Sequence, residues 1–241
     1  MLDHSAQKYS MLPGYLVTAP NLVGHGSRMS TDYRLSSIAN DLRPYLVARN
    51  YSLIIGHSVG ALATLGLFSH LPPSHPTAII LVDPPMQATP EKIQFQDHLF
   101  SDSCVNIKQA EAYSVENPLW QREDAIFREL GTRLCAVDAL HGIFEVRMVV
   151  IWMGSVLIWL PPQQNKPWNF FDYLNATSRK WRVTILVADP AIYKLCPVED
   201  LHPYPHVRPV MVPGAGHWIQ YEFPDVIVEE ALKTVAELET A

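Results

Sequence analysis

The stretch Tyr51-Ser52-Leu53-Ile54-Ile55-Gly56-His57-Ser58-Val59-Gly60 decides the fold. Leu53, Ile54 and Ile55 form a short apolar run that reads as a buried strand, and residues 61–68, rich in Ala and Leu, read as a helix. The Gly-x-Ser-x-Gly pattern between them predicts a sharp strand-to-helix turn. Such a turn strains its central residue and tolerates only small neighbours, which accounts for glycines two before and two after Ser58. The strain lifts the Ser58 hydroxyl above the sheet. The first helical amides, beginning with that of Val59, then point toward the atom Ser58 would attack, where they stabilise developing negative charge. The five-residue pattern alone is weakly specific; the strand before it, the helix after it and a histidine near the end of the chain carry the reading.

Outward from this turn, residues 15–19 read as a short strand ending at Pro20, followed by the loop Gly24-His25-Gly26. Ile38, Leu42, Tyr45 and Leu46 give residues 36–48 helical spacing, interrupted by Pro44. Residues 78–82 form a further apolar strand, stopped by Asp83-Pro84-Pro85. Two more strands are predicted at 183–188 and 207–212, and an amphipathic helix at 226–238. Strands alternating with helices predict an α/β fold with a mostly parallel sheet covered on both faces. Between 89 and 180 the pattern changes to helical, Trp-rich and irregular sequence, including Trp120, Trp152, Trp159 and Trp168. This stretch reads as a helical cap inserted into a core made of residues 1–88 and 181–241.

The 241 residues are 48% hydrophobic and 17% charged, enough for one domain with a substantial core. A net charge of -6 without a basic stripe argues against nucleic acid as a partner. Cys104, Cys135 and Cys196 are an odd number with no C-x-x-C spacing, which fits free thiols in packing roles better than a disulfide framework. Residues 1–10 contain Asp3, His4 and Lys8 and lack the apolar core of a signal peptide, so an intracellular, cytoplasmic location is expected. The longest apolar run, residues 148–160, is short for a membrane span and reads as a buried helix or strand, or as the wall of a lipophilic pocket.

A serine hydroxyl needs a base to take its proton and a carboxylate to hold that base in the right tautomer. Pro213-Gly214-Ala215-Gly216-His217-Trp218 follows the last predicted strand, and its glycines allow His217 to reach the turn; His217 is the candidate base. Asp189 is the first choice of acid, because it ends the 183–188 strand and precedes His217 in chain order. Asp83, which also ends a strand, is the alternative acid, with a plain turn role before two prolines set against it. Glu199 and Asp200 lie in a loop and read as capping or solvated residues.

With these segments assembled, the chain resembles the α/β-hydrolase superfamily. The matching stretches are 15–28, the nucleophile elbow at 56–60, 79–85, 185–190 and 214–224. The resemblance implies a sheet carrying a catalytic triad of Ser58, Asp189 and His217, an oxyanion hole that includes the Val59 amide, a cap over the pocket, and neither cofactor nor metal. One departure stands out. Members usually carry a His-Gly motif after an early strand, whose loop gives the second oxyanion amide, and no such motif precedes residue 15. Residues 1–5 resemble the stretch that follows it, so early strands are expected to be missing, and His25 matches a structural loop instead. Loss of one oxyanion donor typically costs about 3 kcal/mol of transition-state stabilisation.

The expected function is a serine hydrolase cleaving a carboxylic ester or thioester of a hydrophobic small molecule through an acyl-enzyme. The alternatives are a binding protein of the same fold with little or no turnover, and an enzyme of secondary metabolism using the pocket for cyclisation or elimination.

Overall fold

The computed structural model describes residues 14–144, 149–153, 156–160, 167–176 and 180–240. Its centre is a four-stranded parallel sheet of β1 (Leu53–His57), β2 (Thr77–Val82), β7 (Trp181–Val187) and β8 (Val207–Met211), in the spatial order β1-β2-β7-β8. The register sets Leu53 against Ala78, Leu81 against Ile185, and Val187 against Met211. The predicted α/β class with a parallel sheet is therefore observed. All six residues of β2 are buried, as expected for a strand covered on both faces.

Alternation along the strands divides the core. Ile79, Leu81, Val183 and Ile185 face one cluster with Leu62, Leu65 and Phe68, while Ile80, Val82 and Leu186 face the other with Ile219, Ile227 and Ala231. Each buried Val, Leu, Ile or Phe among them contributes roughly 1.5–3 kcal/mol. Helices α1 (Leu35–Ala48) and α2 (Val59–Gly66) pack together beside the first cluster, and the C-terminal helix α8 (Pro224–Glu239) covers the second. A buried polar contact fastens α8 to the sheet: Thr184 Oγ1 and Thr234 Oγ1 are 3.0 Å apart, and Arg208 donates to Thr234 at 3.1 Å.

Two local expectations change. Helix α1 continues through Pro44, which sits on its exposed side, where the carbonyl that proline cannot serve is open to solvent. Residues 15–19 form no described strand pairing and Leu16 is 76% exposed, so their apolar alternation marks no buried strand. This segment leads into a turn at Gly24 (φ +89°), where a Cβ would stand 2.3 Å from Ala139 Cβ. The Gly26 amide donates to the Leu134 carbonyl and the Ala136 amide to the Gly24 carbonyl, both at 2.8 Å, clasping this loop to the helical region.

Between β2 and β7 the chain builds β3 (Gln87–Ala88), then helices α3 (Pro90–Val105), α4 (Ala110–Glu116), α5 (Arg122–Leu134) and α6 (Val137–Ile143). Thr89 accepts from the Lys92 amide ahead of Pro90, and Gln121 with Asp124 forms a capping box on α5. His141 on α6 bonds the carboxylate of buried Asp97 on α3 at 2.9 Å. The segment is not wholly helical: β4 (Val149–Met153) and β5 (Val156–Leu160) form an antiparallel pair, so most of the 148–160 run is strand, with 148 and 154–155 outside the described residues. β6 (Trp168–Asn169) pairs antiparallel with β3, stitching the entry of the segment to its exit. Helix α7 (Ile219–Glu222) completes the elements. No helix among the described residues is long and apolar enough to cross a membrane.

Candidate active site

β1 delivers the chain into a turn whose tip, Ser58, adopts φ +53° and ψ -119°, followed at once by α2. A non-glycine residue held in that region stores about 1–3 kcal/mol, so the surroundings must enforce it. They do so through β2, since the Ser58 amide donates to the Val82 carbonyl at 2.9 Å. The two glycines are not equivalent. A Cβ on Gly56 would lie 2.6 Å from the Gly60 carbonyl oxygen and 2.7 Å from Thr64 Oγ1, whereas one on Gly60 would meet nothing within 4 Å.

His217 Nε2 lies 3.1 Å from Ser58 Oγ and accepts the hydroxyl proton, while its Nδ1 donates to Asp83 Oδ2 at 2.7 Å. Asp83 is fully buried at the end of β2, with φ +41°, and its other oxygen accepts from the Ala188 amide at 3.2 Å. Ser58, His217 and Asp83 thus form one hydrogen-bonded chain drawn from three loops at the carboxyl edge of the sheet. Asp189, the first choice from sequence, does not reach His217. Its oxygens accept from the Ala191 and Gly214 amides, both at 2.9 Å, and these bonds hold its carboxyl below the usual carboxylate range. The expected pairing is corrected for a geometric reason: Asp189 fastens the base of the 213–217 loop, and the strand beside it supplies the carboxylate that faces the imidazole. Glu199 and Asp200 are exposed in a 3-10 turn.

Other residues around this chain were not singled out from sequence. His57, inside the Gly-x-Ser-x-Gly pattern, donates from Nε2 to the His217 carbonyl at 2.9 Å. Loss of hydration lowers its pKa well below the ordinary imidazole value, and the neighbouring His217 adds to this. Glu222 accepts from the Gly216 amide at 2.5 Å, and burial pushes its carboxyl upward. The Tyr193 ring stands 5.3 Å from His217, and burial raises its hydroxyl. Only Glu222 had a sequence signal, its place just after the His217 loop.

The Val59 amide opens α2 and has no partner within the helix, as for the first amides of any helix. In front of it lies a cavity of about 410 Å³. Its wall is largely apolar, with Ile93, Phe100, Leu140, Phe144 and Trp168 among the residues that form it. Cys104 and Cys135 also line it, and the neighbouring Cys135 thiol brings the Cys104 thiol down to about 7. These two thiols are therefore exposed to the cavity rather than simple packing residues, while Cys196 is buried. Among the described residues, no group of three His, Cys, Asp or Glu side chains is placed to hold a metal ion.

A family model described as "Alpha/beta hydrolase family" matches residues 6–230. The chain belongs to the alpha/beta hydrolase family. Solved structures of similar fold include the N-formylmaleamic acid deformylase of Pseudomonas putida S16, with a TM-score of 0.67 at 16% identity over 96% of this chain and 87% of that one. A thermophilic esterase from Thermogutta terrifontis gives 0.65 at 17% identity, covering 98% of this alpha/beta hydrolase and 86% of the esterase. An epoxide hydrolase from Bacillus megaterium gives 0.64 at 12% identity, with 98% and 90% covered. No curated protein sequence matches this family member.

Proposed function

We propose that this family member is a serine hydrolase that cleaves a carboxylic ester or thioester of a small molecule through Ser58, His217 and Asp83. The observation that carries the reading is the unbroken hydrogen-bond chain from Ser58 Oγ through His217 to buried Asp83. The hydrolases and esterases among its structural neighbours support the broad class.

Ser58 Oγ attacks the acyl carbon while His217 Nε2 takes the hydroxyl proton. Asp83 keeps Nδ1–H directed away from the serine and stabilises the imidazolium that forms. The oxyanion develops toward the Val59 amide, where the positive end of α2 favours it. Collapse expels the alcohol or thiol, protonated by His217, and leaves Ser58 acylated. Water then attacks the acyl carbon, giving its proton to His217, and the second collapse restores Ser58 and frees the acid. Helices α3 to α6 serve as the cap, with β3 and β6 as its seam to the sheet.

Labelling with a fluorophosphonate tests this directly. Folded protein should become covalently modified at Ser58, and the Ser58→Ala variant should neither label nor hydrolyse 4-nitrophenyl esters, a loss of about 10⁴-fold or more. Folded natural protein that fails to label would return the binding-protein reading. Turnover that survives Ser58→Ala but not His217→Ala would favour cyclisation or elimination.

A further inference from the structure

The cavity wall contrasts with the rest of the molecule in charge. The chain has 24 Asp and Glu against 18 Lys and Arg, yet the residues lining the cavity include no carboxylate and two cations, Lys92 and Arg128. Arg128 is the more defined of the two. It projects from α5, and its guanidinium lies 4.4 Å from the centre of the Trp218 ring and 5.9 Å from that of Tyr113. Trp218 follows the proposed base directly and stands 5.3 Å from it, ring to ring.

Stacking satisfies the face of a guanidinium and leaves its edge free, and that edge carries the N–H donors that fit a carboxylate in a two-point bond. Among the described residues no carboxylate pairs with Arg128, although Arg133 on the same helix is paired with Glu129 at 2.8 Å. The charge is felt across the cavity: it disfavours a proton on His57 and favours thiolate at Cys104 and Cys135. A cation oriented by aromatic rings, lacking an internal counter-ion and placed in an otherwise apolar wall lacks one element, an anion on the ligand.

We propose that Arg128 anchors a carboxylate of the substrate, which makes the substrate class an ester or thioester bearing a free carboxylate rather than a purely hydrophobic one. This rests on the Ser58 hydrolase reading. Arg128 acts on binding, away from the reacting atoms, so its effect falls mainly on KM. The apolar wall takes the carbon chain between the two polar ends.

The experiment compares matched substrates on the full chain. On the acyl side, 4-nitrophenyl hydrogen glutarate is set against 4-nitrophenyl valerate; on the leaving-group side, 4-carboxyphenyl acetate is set against phenyl acetate. The ratio of kcat/KM, charged over uncharged, should fall about ten- to a hundredfold from wild type to Arg128→Gln in at least one pair, chiefly through KM. Arg128→Lys should recover part of it. Which pair responds tells whether the carboxylate belongs to the acyl or the alcohol part. The proposal is overturned if both ratios are the same in wild type and Arg128→Gln, with both proteins folded by thermal melt. If Arg128→Gln does not fold, wild-type preference for neither charged ester, or a preference that Arg128→Lys leaves at the wild-type value in 0.5 M salt, overturns it equally. Should the protein hydrolyse no ester and Ser58 resist fluorophosphonate, the hydrolase reading itself has failed. That result is separable, because calorimetric binding of glutarate to Ser58→Ala protein still reports on Arg128.

Discussion

Asp83 and Asp189 end adjacent strands, yet their carboxylates do different work, and the difference can be measured. Asp83→Asn should lower kcat by about 10⁴-fold with little change in fold, because the amide cannot hold the imidazole in the working tautomer. Asp189→Asn should lower kcat by less than about tenfold, an order of magnitude that a loop anchor away from the imidazole fits. Its signature is instead in stability against pH. The folded carboxyl titrates below the unfolded value of 3.8, so its stabilisation is present above that pH and fades as pH falls through the folded value. The melting difference between wild type and Asp189→Asn should therefore shrink in strong acid. His57 behaves in the same direction for a different reason. Its folded imidazole resists a proton that the unfolded one takes up below about 6.5, so the native state loses stability as pH falls from there toward the lowered folded value. His57→Gln should flatten this part of the melting profile.

At the scale of elements, the strand-turn-helix unit around Ser58 was legible because its signals agree: an apolar run, a small-residue turn and a helix-forming tail. Its two glycines look alike in sequence but differ in space. Gly56→Ala should destabilise the fold by about 1–3 kcal/mol, since the new methyl meets the Gly60 carbonyl and Thr64. Gly60→Ala should leave chemical denaturation unchanged or shift it favourably by about 0.5–1 kcal/mol, as helix propensity suggests. Equal damage from both would show that the crowding argument is wrong. The thiols facing the cavity give an element-scale readout of their own. With its thiol brought down to about 7, Cys104 on α3 should be the first cysteine alkylated by iodoacetamide near neutral pH. Burial pushes Cys196 up, and the neighbouring Cys104 together with burial does the same for Cys135, so peptide mapping should find both lagging.

For the whole molecule, the four parallel strands and α8 followed from periodicity, and Ser58 and His217 from the turns that bear them. The acid did not, because chain order cannot say which of two neighbouring strand ends faces a histidine supplied by a third loop. Asp83 before two prolines reads as a plain turn, and only the register of β1, β2 and β7 brings it under His217. The residues 15–19 were misread because alternation reports a strand only when a partner and a buried face exist. Arg128 carried no signal at all, since its meaning comes from Trp218, which lies far along the chain, and from the lack of acids around the cavity.

The short ladder between β3 and β6 has a consequence for how such a protein changes over time. Ala88 and Trp168 are paired neighbours, so the chain leaves the sheet and returns to it through nearly the same point. The length and shape of everything between them are therefore independent of the sheet's register. Ser58, Asp83 and His217 lie outside that excursion, whereas Arg128 lies within it. Under the proposed roles, selection can exchange the segment that carries the ligand anchor while the segments that carry the hydrogen-bonded chain stay in place.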